Sequence, residues 1–152
     1  MIRSCLADDV KDLASFIVEE VGLKDVVLKK VRFVRSSGLR SRCYARIFGV
    51  PNAIRIALNS DTAYVVEVNS HLYDPLSMHE KVKIVMHELT HISVNCNGSL
   101  RKHKHLRFRD KIFSKSKKLA KKYLKTCVSQ NSTEPQTVFV TQQFSHSSTG
   151  AH

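Results

Sequence analysis

SMHEKVKIVMHELTHISV, residues 77–94, opens with a serine, has a glutamate three positions later, and then runs into apolar residues at helical spacing. Ser77 with Glu80 is a capping-box pattern, in which each side chain satisfies a backbone N–H that the first turn of a helix leaves without a partner. The pattern predicts a helix over 78–94. On it His87 and His91 stand one turn apart on the same side, with Glu88 the next residue round. Two imidazoles so placed can reach one metal ion, and HExxH is the spacing in which that ion is zinc. The chemistry needs this set. Zinc lowers the pKa of a water in its open position, and a carboxylate that does not bind the metal takes the proton as water attacks a polarised carbonyl. The competing reading is a solvent-facing turn that matches by chance. Against it, Leu89 and Thr90 between the histidines, and Val85, Met86 and Ile92 around them, are all uncharged. That suits a helix buried enough to keep other charges away.

A catalytic zinc takes three protein ligands and leaves the fourth position to water. Downstream, GSLRKHKHLRF (98–108) offers His103 and His105, and the turn NCNGS (95–99) lets the chain fold back on the helix. Cys96 lies on that turn and reads as a small buried thiol. His71 and His79 read as surface residues.

At 152 residues with 42% hydrophobic composition the chain has the size and the apolar content of one domain. No stretch approaches the roughly 18 uninterrupted apolar residues of a membrane span, and the N-terminus turns acidic where a signal peptide turns apolar. The four cysteines form no CxxC pair, which fits reduced thiols in the cytoplasm. The net charge of +12 is concentrated: residues 101–125 hold 12 of the 25 Lys/Arg and a single acid, Asp110. A cationic segment of this density is either a solvated helix face or a surface that attracts nucleic acid or an acidic protein. With no aromatic stacking series and no base-reading motif, the expectation is weak, sequence-independent binding through residues 107–125.

Upstream, DDVKDLASFIVEEV (8–21) repeats apolar residues at the helical period, with Asp8 and Asp9 at its positive N-terminal end and Gly22 as a stop. LKKVRFVRS and CYARIFG alternate apolar with basic residues and predict two strands joined by the loop 36–42. PNAIRIALN fits a strand or a helix, and Pro51 in a first turn favours a short helix. AYVVEV (63–68) predicts a third strand. From about Leu106 to Cys127, Phe108, Ile112, Leu119, Ala120, Tyr123 and Leu124 recur at helical spacing between lysines, predicting a long amphipathic helix. Residues 129–152 are polar and rich in Ser, Thr and Gln, and predict a disordered tail after a domain of residues 1–128.

The runs YARIFGVPNAIRIAL, AYVVEVNSHLYDPLSMHEKVKIVMHELTHI and GSLRKH resemble the small zinc metallopeptidase family of archaea and phages, in which an HELxHI helix precedes a Gly-containing turn and an LRxH element. The resemblance covers residues 43–105. It implies a minimal zincin-like fold, related in plan to SprT-like peptidases, with a small sheet against the active-site helix. It also implies that the strand around Tyr64–Val68 is the edge along which an extended peptide lies. The LRxH element points to His103 as third ligand, while His105, beside the start of the final helix, stands as the third histidine does in SprT-like enzymes. The family's proline before that histidine is Lys102 here, and its second glycine is Ser99.

The expected protein is therefore α+β, with an N-terminal helix, about three strands, the HExxH helix and a basic C-terminal helix. One zinc ion per chain is expected on His87, His91 and His103, with Glu88 as general base in peptide hydrolysis. Arg101 and Tyr73 are candidates for stabilising the oxyanion. A different class of protein also fits: a nucleic-acid-associated binding module whose zinc is structural. A fourth protein ligand such as His105 or Cys96 would mark that case.

Overall fold

The structure, a computed structural model, describes residues 1–102 and 113–131. In chain order it runs β1 (Arg3–Leu6), α1 (Asp8–Val21), a 3-10 turn (Leu28–Lys30), β2 (Val31–Ser37), β3 (Ala45–Gly49), α2 (Asn52–Ala57), β4 (Tyr64–Asn69), α3 (Ser70–Tyr73), α4 (Met78–Thr90) and α5 (Ser116–Asn131). The architecture is α+β. One mixed four-stranded sheet has the order β1-β2-β4-β3, with β2 and β4 parallel and the outer pairs antiparallel.

Local sequence accounts for the long helices. Asp8 and Asp9 occupy the first turn of α1, and Gly22 ends it in the left-handed region at φ 73°, its N–H donating to the Val18 carbonyl. The capping box of α4 forms as its sequence predicts, Ser77 and Glu80 bonding reciprocally. One face of α1 (Val10, Leu13, Ala14, Ile17) and the apolar side of α4 (Val82, Val85, Met86, Leu89) bury with Tyr64, Val66 and Val68 of β4 in a single core. α4 thus lies against α1, α5 and β3. Among the described residues no helix is long and apolar enough to cross a membrane.

Several expectations need correction. The sheet has four strands, because Arg3–Leu6 pairs antiparallel with β2. Strands β2 and β3 are not neighbours. β4 lies between them and pairs along both edges, so Tyr64–Asn69 is an interior strand and the open edge beside α4 belongs to β3. α4 ends at Thr90 instead of Val94, because the chain turns back after His91 and Ile92 bridges to Leu100. His79, expected at the surface, is half-buried in the first turn of α4. α5 continues through Asn131, four residues past Cys127, the expected end of the helix. His103, His105 and residues 132–152 lie outside the described residues, as does the first part of the predicted basic helix.

Candidate metal centre

α4 carries His87 and Glu88 in its last turn, and His91 is its C-cap. Both Glu88 and His91 are 9% exposed. The imidazoles meet edge to face with centroids 4.9 Å apart, and their Nε2 atoms are 3.3 Å apart. The ring of His87 also stacks on Phe113, at 6.3 Å.

A turn built by tertiary contacts fixes His91. Its Nδ1 lies 2.7 Å from the backbone carbonyl of Arg101. A carbonyl can only accept, so the proton is on Nδ1 and the lone pair on Nε2, the tautomer that a metal ligand needs. The N–H of Arg101 in turn donates to the carbonyl of His91 at 2.7 Å. Between these residues the buried Tyr64 hydroxyl donates to Ser99 O at 2.7 Å and stands 3.0 Å from Ser93 Oγ. Asn97 Oδ1 accepts from Ser93 Oγ and from the Ser99 N–H, each at 3.0 Å. Gly98 has φ +96°, and a Cβ there would stand 2.6 Å from Val50 O, so only glycine lets the turn lie against the end of β3.

Glu88 faces the open edge of β3. The bonds from Asn69 N–H to Tyr44 O and from Val50 N–H to Ala63 O set the alternation of the β3–β4 ladder, which turns the N–H groups of Ala45, Ile47 and Gly49 away from β4. The Ile47 N–H lies close enough to the Glu88 carboxylate to favour its charged form. Burial pushes the Glu88 carboxyl above the usual carboxylate range, and His91 and this backbone donor partly offset the shift. Beside it opens a cleft of about 380 Å³, lined by Tyr44, Ala45, Lys83, Ile84, His87, Glu88 and Phe113.

The histidine pair fits a zinc ion. Two nitrogens at 2.0–2.1 Å from one tetrahedral ion stand about 3.3–3.4 Å apart, the separation of the two Nε2 atoms here. Among the described residues no third His, Cys, Asp or Glu joins them. Cys96 is a buried thiol and does not close the site.

Neither oxyanion candidate points at the cleft. The Arg101 guanidinium is bonded to Asp25 at 2.6 Å, and Tyr73 is 1% exposed, with Lys81 Nζ 5.5 Å above its ring. The cleft residues Tyr44, Lys83 and Phe113 have no motif. For Lys83 a signal did exist: it lies four residues before His87, on the same side of the helix.

A family model described as "Putative phage metallopeptidase" matches residues 2–124. The chain belongs to that family. The match to this metallopeptidase family takes in the whole sheet, α4 and the first half of α5, so it covers every element that builds the cleft. Family membership implies a metal ion. No curated protein and no solved structure matches the chain.

Proposed function

We propose that this metallopeptidase is a zinc-dependent enzyme of the HExxH type, with His87, His91 and His103 holding one zinc ion per chain and Glu88 as general base. The observation that carries the reading is the 3.3 Å approach of the two Nε2 atoms directly beside a buried carboxylate in an open cleft. Bound zinc would supply a Lewis acid and an acidified water molecule.

The chain's own residues do the rest. The Arg101 carbonyl keeps the His91 proton on Nδ1. Glu88, at the β3 edge beside the Ile47 N–H, takes a proton from attacking water and passes it to the leaving amine. The outward backbone of Ala45, at the cleft wall, offers an extended polypeptide a strand to add to. That edge is β3 and not the Tyr64–Val68 strand, whose two sides are both paired.

Glu88→Gln tests the reading, because an amide keeps the shape and cannot accept the proton. The variant should bind zinc as the parent does and lose cleavage of a peptide library by at least a hundredfold. Unchanged cleavage removes Glu88 as the base. A parent protein that binds zinc and cleaves no peptide would turn the reading towards a structural zinc.

A further inference from the structure

The lysines of α5 have no part in the site described so far. Ser116–Asn131 contains five lysines and no acid. At 100° per residue, Lys117, Lys121, Lys125 and Lys118 fall within an arc of about 100°. That arc is opposite Leu119, Ala120 and Tyr123, which pack on the core, and all four lysines are exposed. Lys122 lies outside the arc, on the flank towards α1, where its Nζ meets Glu20 at 2.6 Å. Among the described residues no carboxylate pairs with the other four.

The band continues onto α4. Ser116 Oγ donates to Phe113 O at 2.7 Å and stands 2.8 Å from His79 Nε2, tying the start of α5 to α4. Burial, and then the ammonium groups of Lys83 and Lys117, hold His79 below the usual imidazole range. Lys83, one turn along α4 from His79, and Lys117, next to Ser116, thus flank this junction from two different helices, and Lys83 is also a wall of the cleft with His87 and Glu88.

Like charges brought together from two elements repel, and solubility does not require that they converge. One carboxylate would answer Lys83 and Lys117. The charge runs on, however, over the eight residue steps from Lys117 to Lys125, about 12 Å of helix, which calls for a ligand with regularly repeated negative charge. We propose that Lys83, Lys117, Lys118, Lys121 and Lys125 form a docking surface for the phosphodiester backbone of nucleic acid, laid along α5 with one end at the mouth of the cleft. The contacts are to phosphates and so are independent of sequence.

Binding of a fluorescein-labelled duplex of about 20 base pairs, followed by anisotropy against salt, tests this apart from any hydrolysis. Five neutralised phosphates give a log–log slope of about −4.5. The triple variant Lys117→Gln, Lys118→Gln, Lys121→Gln leaves two and should bring the slope to about −1.8, whereas the same three positions changed to Arg should keep it. Lys122→Gln should also keep it, since that lysine already answers Glu20. If the Gln triple variant does not fold, Lys121→Gln alone decides by a loss of about 0.9 in slope. The proposal is overturned by absence of binding at low salt, by parental slopes in the Gln variants, or by a loss in Lys122→Gln equal to that of the triple. Preferential binding of polyglutamate over the duplex would also overturn it, and would make the partner an acidic protein.

Discussion

His91 and Arg101 are joined by a reciprocal pair of hydrogen bonds, the imidazole Nδ1–H to the Arg101 carbonyl and the Arg101 N–H to the His91 carbonyl, both 2.7 Å. The guanidinium of the same arginine is pinned to Asp25, on the connection between α1 and β2. The ion pair is part-exposed, so its direct contribution to stability is small. Its effect is on placement: it holds the backbone that orients His91. Asp25→Asn should leave the melting temperature nearly unchanged and weaken zinc about tenfold, the lower end for groups that act through a ligand. Chelator competition measures this. Parental zinc affinity in the variant would show that the hydrogen bonds alone hold Arg101.

The turn that brings Arg101 back depends on Gly98, whose φ of +96° strains any other residue and whose missing side chain admits Val50 O. Gly98→Ala should cost about 1–3 kcal/mol, from the left-handed backbone and the contact together. Zinc affinity should fall with it, because Ser99, Leu100 and Arg101 shift as one segment. Denaturant unfolding and zinc titration check the two halves. A Gly98→Ala protein that is less stable but binds zinc normally would separate the turn from the metal site.

The parts of the molecule legible in sequence are those set by near neighbours. Asp8, Asp9 and Gly22 mark α1, and Ser77 with Glu80 marks the start of α4, because caps act within one turn. His87, Glu88 and His91 stand out in the sequence because the chemistry proposed for them fixes their spacing. The sheet order was not, since strand pairing is non-local. β2 and β3 look like partners across a loop, and nothing in either sequence shows that β4 enters between them. β1 was missed because all four of its residues are exposed and carry no apolar alternation. The end of α4 was misread for a tertiary reason. Ile92 and Val94 extend its apolar pattern, but the Tyr64 hydroxyl, 29 residues from Ser93, bonds that serine into the turn. The Arg101 carbonyl that orients His91 is backbone, so no residue type could announce it.

Because the cap of α4 lies ten residues before His87, its loss should be felt in stability and not in the metal. Ser77 Oγ accepts from the Glu80 N–H at 3.3 Å, and the Ser77 N–H donates to the Glu80 carboxylate at 3.0 Å. Ser77→Ala removes the first bond and should destabilise the protein by about 1 kcal/mol. Zinc affinity should stay at the parental value. An equal loss of zinc would mean that α4 frays as a whole and that the turn after His91 does not hold the site by itself.

Arg35 ties three elements, with its guanidinium bonded to both oxygens of Asp9 at 2.8 and 2.9 Å and to Asp74 at 3.0 Å. The hydrogen bond from Arg35, set against partial burial, holds the Asp9 carboxyl below its usual range. A carboxylate whose folded pKa is lowered contributes stability that is complete above its unfolded pKa and is lost as pH falls through the lower folded value. Asn in place of Asp9 resembles the protonated acid, so Asp9→Asn should be less stable than the parent near neutral pH. With both partners part-exposed, the gap should be about 1 kcal/mol or less. It should close on acidification, because the parent then loses what the variant never had. Denaturant unfolding of both proteins from about pH 7 down to about pH 2 measures the gap. A gap that stays constant over this range would mean that Asp9 acts through packing at the start of α1, and that the charge on its carboxylate contributes nothing.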